Sequence, residues 1–342
     1  MNRIYWLDAT RAIAILLVVF THAHEQAGIS NELLRSLFYS FDRLGVPLFF
    51  MISGGLILPK LGKGSTISFY KKRIPQFLIL LVVYSIITNS VKMIGDGANL
   101  IDAIFTATKM NNGIYPADYG GAAQLWFLYS IIGMYLIAPF LAKIVNNSTT
   151  KEISVFLAIC VLLNQFKMSL PLIGVDWGFL YKLGSDMTGP YVSFFIAGYL
   201  VINRTDDFNN LFKSTTFHYF LFIAPIVILT VIDFFSNKMN EYLHWYSSSI
   251  FIFTSGIGLF LVIKGLFEHK SGGVLTGLSL YSFGIYLSHY AFIYICQWIF
   301  KSQISEMDEL NRTTLYFYFS LIFGFAFSFI MSKFKATRYF VQ

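Results

Sequence analysis

Charge is scarce in this sequence. Only 13% of its 342 residues are Asp, Glu, Lys or Arg, where a soluble domain carries about 25%. Hydrophobic residues make up 56%, and the mean hydropathy is +0.62. A soluble fold of this length cannot hide so much apolar surface, so lipid is the expected solvent. Cysteine is nearly missing: Cys160 and Cys296 stand alone, each inside an apolar run. This argues against a disulfide framework and against a thiolate metal site. There is no internal repeat and no low-complexity tract. Aromatics, by contrast, are abundant, with 37 Phe and 21 Tyr, which suits helices with aromatic belts at two interfaces.

A span needs about 20 mostly apolar residues. Ten segments qualify: 6–25, 41–58, 74–94, 124–145, 153–169, 187–203, 217–235, 247–267, 278–300 and 314–333. The first resembles a signal peptide, but Asp8 and Arg11 interrupt its approach and no small-x-small cleavage site follows Phe20. It reads as an uncleaved helix. The expectation is an all-α integral membrane bundle, with residues 1–342 forming one polytopic domain and both termini cytoplasmic. Most of the 25 basic residues then fall inside, above all Lys60 to Arg73 and the tail with Lys333, Lys335 and Arg338, as the positive-inside rule requires. That distribution accounts for the net charge of +7 by topology, and no nucleic-acid partner is expected.

Ionisable groups within a span cost several kcal/mol and are candidates for function. The first helix carries Asp8, Arg11 and His22, with His24 and Glu25 just beyond. Arg11 and His22 are eleven residues apart, about three turns, and so share a helix face to within roughly 20°. The rise places His22 about 16 Å further along the axis. Asp8 lies one turn before Arg11 and is spaced to pair with it, and Glu25 lies at i+3 from His22. An imidazole serves as a general base toward an alcohol because it titrates near neutrality. A proton-relay histidine in a transporter, or a structural one, fits the same spacing. His22 and His24 point about 200° apart on a helix, so no metal is expected there. Tyr70-Lys71-Lys72-Arg73-Ile74-Pro75 reads as a cytosolic helix entry, with proline just inside the start. Three cations there suit a phosphate group, or simply anchor the loop inside.

Two outside loops stand out, Asn111 to Gln124 and Pro171 to Pro190, the second with Asp176, Trp177, Tyr181 and Asp186. Rings and carboxylates on adaptable backbone suit a sugar, and equally an interfacial belt.

Four stretches taken in order resemble the membrane acyltransferase-3 family. They are YWLDATRAIAILLVVFTH in the first helix, RLGVPLFFMISGGLI from Arg43 to Ile57, LWFLYSIIGMYLIAPFL from Leu125 to Leu141, and SLYSFGIYLSHYAFI from Ser279 to Ile293. The wording is similar to the stand-alone O-acetyltransferases of bacterial surface polysaccharides, including the enterobacterial common antigen type. The resemblance implies ten transmembrane helices in a bacterial inner membrane, acetyl-CoA as donor, and a glycan or lipid-linked glycan as acceptor. It implies that His22 and Arg11 form the centre of the site and that Arg73 contacts the donor. The family's third-helix entry often reads Arg-x-x-Arg; here the first of those positions is Tyr70.

The expected site therefore has His22, Arg11, Asp8 and Glu25 at its catalytic centre, and Arg73, Lys72, Lys71 and Arg11 for acetyl-CoA. Trp126, Tyr286, His289 and Ser53 are candidates for lining the acceptor; belt, packing and interhelical roles fit them as well. Ser53 and Gly54 suit close helix packing. Two other classes stay open: a polysaccharide or small-solute exporter without acyl transfer, and a non-catalytic scaffold.

Overall fold

The computed structural model describes residues 4–61, 64–109, 121–184, 188–208 and 213–341. Helices dominate, and among these residues there is no strand. Helix α1, Tyr5–Ala27, contains no proline or glycine. It stops where Gly28 turns left-handed (φ 72°) and donates its N–H to the His24 carbonyl at 3.0 Å, a glycine C-cap. His22 and Glu25 therefore sit in its last turns. Next come α2 (Glu32–Asp42), α3 (Gly45–Leu61), α4 (Thr66–Gly95), α5 (Leu100–Ala107), α6 (Trp126–Asn146) and α7 (Thr150–Val161). The α7 rod passes through a π turn, Leu162–Phe166, into Lys167–Leu172. The later helices are α8 (Val192–Asn203), α9 (Thr215–Ser236), α10 (Ile250–Phe267), α11 (Val274–Ile299) and α12 (Glu309–Lys333).

Eight segments among the described residues are long and apolar enough to cross a membrane. They correspond to eight of the ten expected spans. The other two differ for distinct reasons. Expected span 187–203 is represented by α8, whose 12 residues rise only about 18 Å, against a hydrocarbon core of about 30 Å. Expected span 278–300 lies in α11, which has 26 residues, ample length, but Ser279, Ser282, Ser288 and His289 dilute its apolar character. All four are buried, so this helix turns its polar groups inward. By contrast, only 17% of the apolar stretch of α9 and 22% of that of α12 is buried within the protein. Bare faces with Phe234, Phe235, Ile322 and Ile330 exposed are what a lipid-facing helix presents.

The chain gathers into two compact units. The first comprises residues 1–17, 31–69 and 134–273. Its centre is a backbone-to-backbone crossing of α3 and α8. A Cβ on Gly54 would meet the Phe195 carbonyl oxygen at 2.2 Å, and one on Gly198 would meet that of Met51 at 2.0 Å. Only glycine fits there. Asn203 Nδ2 donates to the Gly55 carbonyl at 2.9 Å and seals the same crossing. The corner between α2 and α3 is Arg43, whose guanidinium lies 4.5 Å from the Tyr39 ring centre and 4.8 Å from that of Trp245. It also donates to the Tyr246 hydroxyl at 3.1 Å, so a cation–π cage holds the bend.

The second unit comprises residues 18–30, 70–133 and 274–342. Here α11 packs on α12, with Gly284 so close that a Cβ would lie 2.4 Å from Ser328 Oγ. Ala23, Ala27, Ile293, Cys296 and Tyr316 form a buried cluster between α1, α11 and α12. Two tyrosines of α11 reach the stretch that leads into α6. Tyr286 donates to the Gln124 carbonyl and Tyr294 to the Gly121 carbonyl, each at 2.8 Å.

Candidate active site

Within the second unit, His22 Nδ1 lies 2.8 Å from Glu25 Oε2, an i,i+3 pair on one face of α1. A carboxylate only accepts, so Nδ1 carries the proton and Nε2 is the basic nitrogen. The pair is well sheltered, with 11% and 22% of the two side chains exposed. A carboxylate behind an imidazole fixes its tautomer and steadies the imidazolium that forms when Nε2 takes a proton. The ring plane is also held. His289 stacks on it at 5.2 Å and 26°, and Tyr290 meets it edge-on at 4.7 Å.

His289 is itself completely buried. Its Nδ1 lies 2.7 Å from the Tyr286 carbonyl and 3.2 Å from that of Ile285. Carbonyls accept only, so Nδ1 is the protonated nitrogen and Nε2 is a bare lone pair. That Nε2 has no hydrogen-bond partner among the described residues. Two imidazoles thus stand side by side, each with Nδ1–H tied back and Nε2 available.

The same unit also carries buried polar groups on α4 and the approach to α6. Asn89 Oδ1 accepts from Gly121 N at 2.9 Å, and Gln124 Nε2 reaches Thr88 Oγ1 at 3.4 Å. Thr88, Asn89 and Gln124 are all buried. Gln124 Oε1 is without a partner among the described residues. These polar groups were visible as residues in the sequence, but no spacing rule tied α4 to the approach to α6. Tyr290 was passed over in the same way, although it adjoins His289.

The remaining expected residues fall as follows. Asp8 pairs with Arg11 at 3.4 Å, with Asp8 buried and Arg11 partly exposed; both belong to the first unit. Ser53 is half-buried on α3 of that unit, one residue before the Gly54 crossing. His24 points into the protein against Phe20, ring centres 5.6 Å apart, away from the face of His22. Trp126 opens α6 in the second unit, edge-on to Phe127 at 6.2 Å. Tyr286 uses its hydroxyl on the Gln124 carbonyl, so it anchors the wall. Residues 111–120 of the first expected sugar loop, and Asp186 of the second, lie outside the described residues. No group of three or more His, Cys, Asp or Glu is placed to hold a metal ion among the described residues.

Lys71, Lys72 and Arg73 require a correction. The sequence reading put them at a helix start, where free backbone N–H groups assist phosphate binding. Helix α4 begins earlier, at Thr66, after Ser65, whose Oγ accepts from Ser68 N at 3.4 Å. The three cations therefore lie within the helix, all exposed, with Arg73 donating to Gln76 Oε1 at 3.5 Å. They offer side-chain charge without the helix terminus. Pro75 sits inside the helix, where it removes one backbone hydrogen bond, and does not mark its entry.

The description "Acyltransferase domain" of the acyltransferase-3 family, Acyl_transf_3, matches residues 4–333. The chain belongs to this family. It is a membrane acyltransferase, multi-pass by its helices. No curated protein and no solved structure matches it. The match spans α1 through α12, so both units are parts of one acyltransferase architecture.

Proposed function

We propose that this acyltransferase is an O-acetyltransferase that moves acetyl from cytosolic acetyl-CoA to a hydroxyl of a cell-surface glycan, in a bacterial inner membrane. The observation that carries the reading is the Glu25–His22 pair, a sheltered imidazole with its basic nitrogen fixed by a carboxylate. In the direct route, His22 Nε2 removes the proton of the acceptor hydroxyl as its oxygen attacks the thioester carbonyl carbon. The C–S bond then breaks, and the departing thiolate takes the proton back from the imidazolium. In the two-step route, Nε2 attacks the thioester carbon, the C–S bond breaks and the thiolate leaves; the acceptor hydroxyl then attacks the acetyl carbon, the C–N bond breaks, and its proton passes to the thiolate or solvent. Glu25 stabilises the positive charge on the ring in both. His289 Nε2, a lone pair needing a donor, suits a hydroxyl proton of the acceptor. The donor's phosphates suit Lys71, Lys72 and Arg73, which belong to the same unit as His22 and are exposed. Arg11 is a further cation for the donor.

The test uses purified full-length protein in detergent, labelled acetyl-CoA and extracted lipid-linked glycan. Wild type is expected to transfer acetyl. His22→Ala is expected to lose on the order of 10²–10⁴ in kcat, the usual worth of a general base. Replacing Lys71, Lys72 and Arg73 together by Gln is expected to raise the KM for acetyl-CoA with a smaller effect on kcat. A wild type that consumes no acetyl-CoA with any glycan, yet moves solute across vesicles, would establish the exporter reading.

A further inference from the structure

The first unit holds a cavity of about 600 Å³, inside the range of about 300–1,000 Å³ typical of small-molecule sites. Three segments line it: Arg35 from α2, Leu172 from the end of the α7 rod, and residues 232–243 from the end of α9 and the turn beyond. The charge distribution along the sequence assigns the ends of all three to the outer side of the membrane. The mechanism described above uses none of these residues.

The wall is built before any ligand arrives. Asp233 and His244, both buried, neighbour the lining residues Ile232 and Leu243 in sequence and anchor the turn. Asp233 Oδ2 accepts from Ser36 Oγ at 2.6 Å and from His244 Nε2 at 2.7 Å, and Ser40 reaches His244 Nδ1 at 3.3 Å. The turn after α9 is tied to this pair. Asp233 Oδ1 accepts from Asn240 N at 3.1 Å, and Glu32 Oε2 accepts from Met239 N at 2.9 Å. Asn240 Oδ1 accepts from Tyr242 N at 3.1 Å, and Ser248 donates to the Tyr242 carbonyl at 2.6 Å. Met239 and Leu243 thus point inward while Glu241 and Tyr242 point outward, with Tyr242 69% exposed. The Tyr242 ring thus stands in the cavity lining on a backbone fixed by Asn240 and Ser248.

The side chains also choose among ligand classes. Arg35 contacts Glu32 and Glu241, each at 3.4 Å, and Lys238 adds one more cation to the lining. Two cations thus face two carboxylates, which leaves little net charge to capture an anion. The guanidinium is oriented by its two carboxylates, and Arg35 Nε has no partner among the described residues. These donors and acceptors lie beside apolar surface from Leu172 and Ile232. A neutral polyol with one apolar face matches this pattern.

We infer that this cavity is a saccharide subsite that holds a neutral pyranose of the acceptor, its apolar face on the Tyr242 ring and its hydroxyls on Arg35 and Glu241. This rests on the glycan-acceptor reading above. The test is saturation-transfer NMR on the full-length protein in detergent, with a panel of methyl hexopyranosides and N-acetylhexosaminides. At least one member is expected to bind, and Tyr242→Ala is expected to weaken it about tenfold, while Tyr242→Phe, which keeps the ring, binds as wild type. Binding is expected to persist in His22→Ala and to change little between low and high salt. If no member binds, or if Tyr242→Ala binds as well as wild type, the subsite is overturned. Binding that collapses with salt would overturn the neutral-sugar assignment in favour of an anion. Saccharide binding without acetyl transfer by the wild type would leave the subsite standing and remove the acetyltransferase reading instead.

Discussion

His22 and Glu25 meet as a pair. At 2.8 Å, the carboxylate holds one tautomer, and in the proposed reaction it would balance the charge that the ring acquires. Glu25→Gln keeps the size of the partner and removes its charge. Its amide N–H can donate to Nδ1 and put the proton on Nε2, so it is expected to lower kcat by on the order of 10²–10⁴, comparable to His22→Ala. Steady-state kinetics with the KM for acetyl-CoA measured alongside would check this. An unchanged kcat would mean that Glu25 serves only packing. The same pair was legible in the sequence because i,i+3 spacing on a helix is a local matter. The stacking of His289 on His22 was not, since the two residues come from opposite ends of the chain.

At the scale of elements, glycine decides how closely helices meet. The α3–α8 crossing leaves no room for a methyl group at Gly54 or Gly198, where a Cβ would overlap backbone at 2.2 and 2.0 Å. Backbone cannot swing aside as a flexible side chain does. Gly198→Ala is therefore expected to destabilise the first unit by on the order of 3 kcal/mol, seen as a lower thermal unfolding temperature in detergent. Gly133→Ala, where nothing lies within 4 Å, is the control and should be neutral. Equal behaviour of the two variants would contradict the crossing. The glycines at 54 and 55 were conspicuous in the sequence, yet which helix they met depended on Gly198, more than 140 residues away. The start of α4 was misplaced for a related reason: a proline was read as a helix entry, while Ser65 and Thr66 had already begun the helix two turns before it.

At the scale of the molecule, composition speaks for a lipid solvent, and the bare apolar faces of α9 and α12 agree with it. From charge we propose an orientation: with both termini inside, the segment from Lys301 to Arg312 would face outward and the tail beyond Lys333 the cytoplasm. Single cysteines at Ser302 and Lys335, both exposed positions, would report this in a background where Cys160 and Cys296 are buried. A membrane-impermeant maleimide added to intact spheroplasts is expected to label Ser302→Cys and spare Lys335→Cys. The opposite pattern would invert the topology and move the donor site to the wrong face.

The sequence by itself determined the solvent, the helical class, the family and the pairing of His22 with Glu25. Each of these depends on composition or on spacing within one helix, which a linear chain already contains. Only the tertiary structure decided what meets what. It set His289 and Tyr290 against His22, bound Tyr286 to the approach to α6, and tied Ser36 to Asp233. Those contacts join residues that no local periodicity relates, because they lie on helices far apart in the chain.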